Sequence, residues 1–94
     1  MYTIGSRPKV DKIFEKLARK NPKQLEIITK KLQQIIQNPQ KFKPLHFPLA
    51  GMRRVHIDKS FVLTYSIDEK NKVVIIEDYD HHDKIYRNWI DYPD

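Results

Sequence analysis

The sequence predicts an α+β fold: an N-terminal strand and a helical hairpin, then a three-stranded antiparallel meander. Two observations carry this expectation. Apolar residues recur at helical spacing as far as Asn38 and at every second position from Met52 onward, and an Asn-Pro pair punctuates the chain at 21–22 and again at 38–39. The 94 residues fit a single domain, 1–94, because domains start near about 50 residues and most hold roughly 100–150.

Met1 to Gly5 reads as a short strand. Ser6-Arg7-Pro8 ends it, with a Ser cap and a Pro in the first turn of a helix. Val10, Ile13, Phe14, Leu17 and Ala18 then form an apolar stripe, opposite Lys12, Glu15, Lys16 and Arg19, out to about Lys20. Asn21-Pro22 repeats the cap-plus-Pro signal, and Leu25, Ile28, Leu32, Ile35 and Ile36 carry the second stripe until Asn38-Pro39 stops it. So short a connection makes the two helices an antiparallel hairpin. Lys41 to Ala50 holds two prolines and no clean period, and reads as a loop.

From Met52 the alternation places Val55 and Ile57 on one face and Arg54 and His56 on the other. Asp58-Lys59 is expected to turn into a strand over Phe61 to Ile67, and Asp68 to Asn71 into a strand over Lys72 to Asp78. The tail from His82 to Trp89 reads as helical. Helices on one side of such a sheet leave the other side for a ligand.

The charge is unevenly placed. Residues 1–45 hold 11 Lys+Arg against 3 Asp+Glu, whereas residues 46–94 hold 7 against 9, so the helical half carries +8 and the second half −2, for a net +6. That is the electrostatic footprint of a protein that approaches nucleic acid, and it equally fits a solvated lysine-rich helical surface. With no cysteine in the chain, a disulfide framework, a thiolate nucleophile and a Cys-ligated zinc are all excluded. Neither a signal-peptide-like apolar run nor a segment near the roughly 18 apolar residues of a membrane span occurs, so a cytoplasmic protein with no membrane partner is expected.

Arg54 and His56 share one strand face about 7 Å apart, a pairing suited to holding a phosphate and moving a proton. An ordinary polar outer face would show the same alternation. Arg53 is expected to point the other way or toward the strand's edge. Of the adjacent His81 and His82, just past the last expected strand, one is expected to face the site, and the carboxylates around them favour the imidazolium. His46, in the loop, could reach the same face. Tyr86 follows His82 by one helical turn, where an aromatic ring can stack on an extruded base or pack against the helices. The histidine spacing matches no standard metal-ligand pattern, and Ser60 and Ser66 lack a nucleophile elbow, so no metal and no cofactor are expected.

Leu49-Ala-Gly51, then Arg53-Arg-Val-His-Ile57, Phe61-Val-Leu-Thr-Tyr65 and His82-Asp-Lys-Ile-Tyr86, in that order after two helices bounded by Asn-Pro, resemble the RelE/ParE superfamily of toxins from type II toxin-antitoxin systems. The resemblance is strongest to its RelE, YoeB and YafQ branch of messenger-RNA interferases and covers nearly the whole chain.

This resemblance implies the RelE-like microbial ribonuclease fold, whose concave sheet face receives messenger RNA on the ribosome. It implies metal-independent cleavage in which the ribose 2′-OH attacks the adjacent phosphate. It implies as partners a cognate antitoxin, the ribosome and messenger RNA, and operator DNA through the antitoxin complex. By position, His82 matches the C-terminal histidine of the YafQ type, His56 and His46 match two further histidines, Arg54 is the phosphate clamp and Tyr86 the C-terminal aromatic. His81, Arg53 and Lys59 complete the expected substrate-binding set. Two positions depart from the family pattern: Val62 and Asp80 stand where many relatives carry arginine, a loss for which Arg53, Lys59 and Lys84 are the available compensation. A ParE-like inhibitor of DNA gyrase, or a catalytically weak module that binds antitoxin and DNA, are the alternatives.

Overall fold

The computed structural model describes residues 1–45 and 51–88, with side chains through Ile85. The element order is β1 (Thr3–Ser6), α1 (Pro8–Lys20), α2 (Pro22–Gln37), a single 3-10 turn at Pro39–Lys41, β2 (Lys43–Pro44), β3 (Met52–Ile57), β4 (Phe61–Asp68), β5 (Val73–His81) and α3 (His82–Asn88). The five strands form one sheet in the order β1-β5-β4-β3-β2, antiparallel throughout except that β1 runs parallel to β5. The α+β reading therefore holds, with one strand more than the sequence indicated.

Both Asn-Pro pairs act as expected. The Asn21 side chain accepts the backbone N–H of Gln24 at 3.2 Å, satisfying one of the orphan donors of the first turn, with Pro22 at the first helical position. The start of α1 differs. Its N-cap is Arg7, with no side-chain cap, and Ser6 Oγ instead meets the Asp11 carboxylate. The cause is sheet pairing: Arg7 N–H donates to Ile76 O at 3.1 Å, so β1 stays extended through Ser6 and the helix starts one residue later than a Ser cap would set it.

The loop expected over Lys41 to Ala50 contains β2, which pairs Lys43 with Arg54 and Pro44 with Arg53. Two residues are too few to show a period of two, and a proline is tolerated there because β2 is the edge strand. Gly51, at φ 91°, turns the chain into β3, a conformation that a side chain would strain. Asp58, at φ 57°, closes the β3–β4 hairpin, and Lys72, at φ 56°, leads into β5.

One face of the sheet packs on α1 and α2. Val10, Ile28 and Ile35 from the helices meet Val55, Ile57, Leu63, Tyr65, Val74, Ile76 and Tyr79 from the strands, all buried. Each such aliphatic side chain contributes about 1.5–3 kcal/mol by leaving water. Tyr65 OH donates to Pro39 O at 2.7 Å, pinning the exit of α2 to the middle of the sheet, and burial pushes its hydroxyl pKa up to about 12.

β5 runs three residues beyond the expected Asp78. A bulge falls where Thr64 pairs with Asp78 but Tyr65 with Ile76, leaving Glu77 as the extra residue. It breaks the alternation that would have revealed the strand's full length.

Candidate active site

The sheet's other face, here the outer face, carries Met52, Arg54 and His56 from β3. The register sets Arg54, Thr64 and Asp78 in one cross-strand row and His56, Val62 and Asp80 in the next. α3 folds over this face. Its first backbone N–H, from His82, donates to Ser60 O at 2.7 Å, Ile85 is fully buried, and α3 contacts both β4 and β5. This anchoring lays the His82 ring over that of His56, with centroids 5.9 Å apart and planes 22° apart.

His56 is exposed, yet partial desolvation by its neighbours, then the charges of Arg54, His82 and Lys43, lowers its pKa from the ordinary 6.5. A neutral imidazole is therefore favoured near neutral pH, next to cations. This is the electrostatic setting of a general base. His82 Nδ1 lies 3.3 Å from Asp83 Oδ1.

The two adjacent histidines diverge as expected. His81 closes β5 opposite Phe61 and meets it edge-on at 5.6 Å, on the side where Phe61 stacks on Tyr79. That is the helix side of the sheet, away from His56. His81 was expected beyond the strand and in the substrate-binding set; the longer β5 turns its ring to the opposite face.

Arg53 also lies on the helix side. Its Nη1 donates to Gln40 O at 3.1 Å and Phe42 O at 2.7 Å, tying β3 to the segment after α2. The structure thus gives this expected substrate-binding cation a bracing position. Lys59 is exposed in the β3–β4 turn, between Asp58 and the Ser60 carbonyl that holds His82. His46 and the side chain of Tyr86 lie outside the described residues. Among the described residues, no three His, Cys, Asp or Glu side chains converge as metal ligands.

Val62, at one of the positions that departs from the family pattern, is fully buried between His56 and Asp80 in the register. Sequence reading missed Arg7, Glu77 and Ser66. Arg7 Nε and Nη2 donate to the two Glu77 oxygens at 2.8 and 3.0 Å, and Ser66 Oγ donates to the same carboxylate at 2.7 Å. The Arg7 fork holds the Glu77 carboxyl below its usual range. Only the bulge brings Glu77 to this face, and no local sequence signal announces it.

A helical hairpin on one side of a five-stranded sheet is a fold this chain shares with solved toxins and toxin-antitoxin complexes. Residues 7–86 match the family described as ParE toxin of type II toxin-antitoxin system, parDE, and the chain belongs to that family. It is 52% identical over 87 residues to a putative toxin RelE4 of Methanocaldococcus jannaschii, covering 93% of each chain. A YoeB/ParE toxin from Agrobacterium tumefaciens shares the fold with a TM-score of 0.78 at 14% identity, over 85% of this chain and 98% of that one. The RelBE2 toxin-antitoxin complex of Mycobacterium tuberculosis matches with a TM-score of 0.71 at 25% identity, over 86% of this chain and 91% of that one.

Proposed function

We propose that this toxin is a metal-independent endoribonuclease that cleaves messenger RNA on the ribosome and is held inactive by a cognate antitoxin. The observation that carries this reading is the parallel pair of His56 and His82 imidazoles on the face that also bears Arg54. The pair supplies two proton-transfer groups within reach of one phosphate. His56, kept neutral, takes the proton from the ribose 2′-OH as that oxygen attacks the adjacent phosphorus. Arg54 stabilises the charge on the crowded phosphate, and His82 in its cationic form donates a proton to the departing 5′-oxygen. The products are a 2′,3′-cyclic phosphate and a free 5′-OH, and two proton exchanges with water restore the starting histidines.

The antitoxin follows from the family and from the neighbours solved as toxin-antitoxin complexes. The lysine-rich helical half suits docking on ribosomal RNA, with the salt dependence that phosphate contacts impose. Operator DNA is reached through the antitoxin complex. Inducing the toxin without antitoxin and mapping transcript ends by primer extension tests the assignment. Cuts confined to translated frames should appear with the wild type and vanish in His82→Ala and His56→Ala. Unchanged cutting in both variants would sink it.

A second reading, poisoning of DNA gyrase without nuclease chemistry, is favoured by the description of the matched family. Growth arrest with intact transcripts and gyrase stalled on plasmid DNA would establish it instead.

A further inference from the structure

A cavity of about 430 Å³ opens on the outer face beside the start of α1, with Arg7, Lys9, Met52, Thr64, Glu77 and Asp78 in its walls. The bulge turns Glu77 and Asp78 toward it in succession. Both carboxylates are engaged: Lys9 Nζ lies 3.2 Å from Asp78 Oδ2, and Arg7 grips Glu77 with two parallel bonds. Each acid thus has its own cation, so the cavity does not repel a phosphate chain through unpaired carboxylates.

The Arg7–Glu77 pair has a particular shape. Two parallel N–H···O bonds make guanidinium and carboxylate coplanar, and Ser66 Oγ fixes the carboxylate from the sheet side. The Glu77 side chain is 14% exposed and that of Arg7 is 55% exposed, so a seated anion holds out a flat, accessible cation. Guanidinium planes of this kind stack on nucleobases. The cavity adjoins the proposed catalytic rows, since Thr64 stands opposite Arg54, Asp78 continues that row on β5, and the His56 row follows roughly 7 Å along the strands.

We infer that this cavity is a nucleobase subsite. It receives a base of single-stranded RNA next to the scissile linkage, stacked on the guanidinium face of Arg7, and Glu77 serves as the positioning residue that keeps that face in place. The inference rests on RNA being the substrate, and it names which part of the strand binds where. Its ligand is the π-face of a base, so the subsite contributes affinity at one nucleotide without requiring a particular base.

The test uses His82→Ala protein, which leaves RNA uncut, and a six-nucleotide oligoribonucleotide carrying one 2-aminopurine at successive positions. Stacking quenches its fluorescence. At one position, binding should quench the probe. Adding Arg7→Lys should weaken binding about tenfold, the scale of one stacked base, and relieve the quenching even at saturation. Adding Glu77→Gln, which keeps the cation and loosens its seat, should relieve it in part. Thermal unfolding of each variant confirms that it is folded, and Glu77→Gln carries the test if Arg7→Lys does not fold. Equal affinity and quenching with and without these substitutions, or no quenching at any position, would overturn the subsite. Arg7-dependent quenching in a protein whose wild type cuts no transcript would leave the subsite standing and remove the nuclease reading. Cutting that needs His82, without Arg7-dependent quenching, would do the reverse.

Discussion

The imidazoles of His56 and His82 lie nearly parallel, 5.9 Å between centroids, one from the end of a strand and the other from the first residue of the helix that folds back over it. Partial desolvation disfavours a proton on His56, and the charges of Arg54, His82 and Lys43 add to the effect.

The pH dependence of stability follows. Folded His56 binds its proton less readily than the unfolded chain, whose imidazole titrates near 6.5. Acid therefore favours unfolding through this group. Its contribution is neutral well above that value, and stability is lost as pH falls through about 6.5 toward the lower folded pKa. Urea midpoints measured between pH 8 and pH 5 should fall toward acid, and His56→Gln should flatten part of that fall. An unchanged slope would show that the depression is absent.

Catalytic substitutions test the pair as a unit. Alanine at either histidine should lower messenger-RNA cleavage by about 10²–10⁴-fold, the usual worth of a positioned acid or base. The double variant should be little worse than the more damaging single one, because both groups act on one proton-transfer cycle. Multiplicative losses would mean that the histidines work independently. Cleavage rates on programmed ribosomes decide between the two.

Two buried tyrosines give opposite expectations. Tyr65 OH donates to Pro39 O at 2.7 Å, whereas Tyr79 OH is buried with no hydrogen-bond partner among the described residues. Tyr65→Phe orphans a carbonyl and should cost about 1–3 kcal/mol. Tyr79→Phe removes a desolvated hydroxyl that gains nothing in return, and should be neutral or stabilising. Denaturant unfolding of the two variants checks both, and a larger loss from Tyr79→Phe would contradict the packing described.

Much of this arrangement was legible because it is local. Asn21-Pro22 and Asn38-Pro39 set the helix ends within a residue, and the alternation from Met52 put Arg54 and His56 together on one face and Arg53 on the other. The divergence of His81 and His82 was legible too, though not which one the strand would claim. The rest depends on pairings between residues distant in sequence. The bulge that turns Glu77 outward is a register property of two strands, the Arg7–Glu77 fork joins opposite ends of the chain, and the two-residue β2 has no period to read. Ser6 carries a good capping side chain that tertiary pairing at Ile76 overrides.

Neighbouring arginines on one strand should fail in different ways. Arg53 reaches round the helix side of the sheet to two backbone carbonyls, and its removal leaves Phe42 O and Gln40 O without this charged donor. Arg53→Ala should therefore lower stability by about 1–3 kcal/mol while the folded fraction keeps its cleavage rate. Arg54 stands on the outer face, two residues along β3 from His56, and its charge contributes to the lowered His56 pKa. Arg54→Ala should spare stability, cut cleavage by about 10²-fold or more through loss of charge stabilisation at the phosphate, and move the His56 titration upward. Unfolding midpoints, cleavage rates on ribosomes and an NMR titration of the His56 ring, read on both variants, separate the brace from the clamp. Equal stability losses with equal activity losses would place both arginines in the same structural role and remove Arg54 from the chemistry.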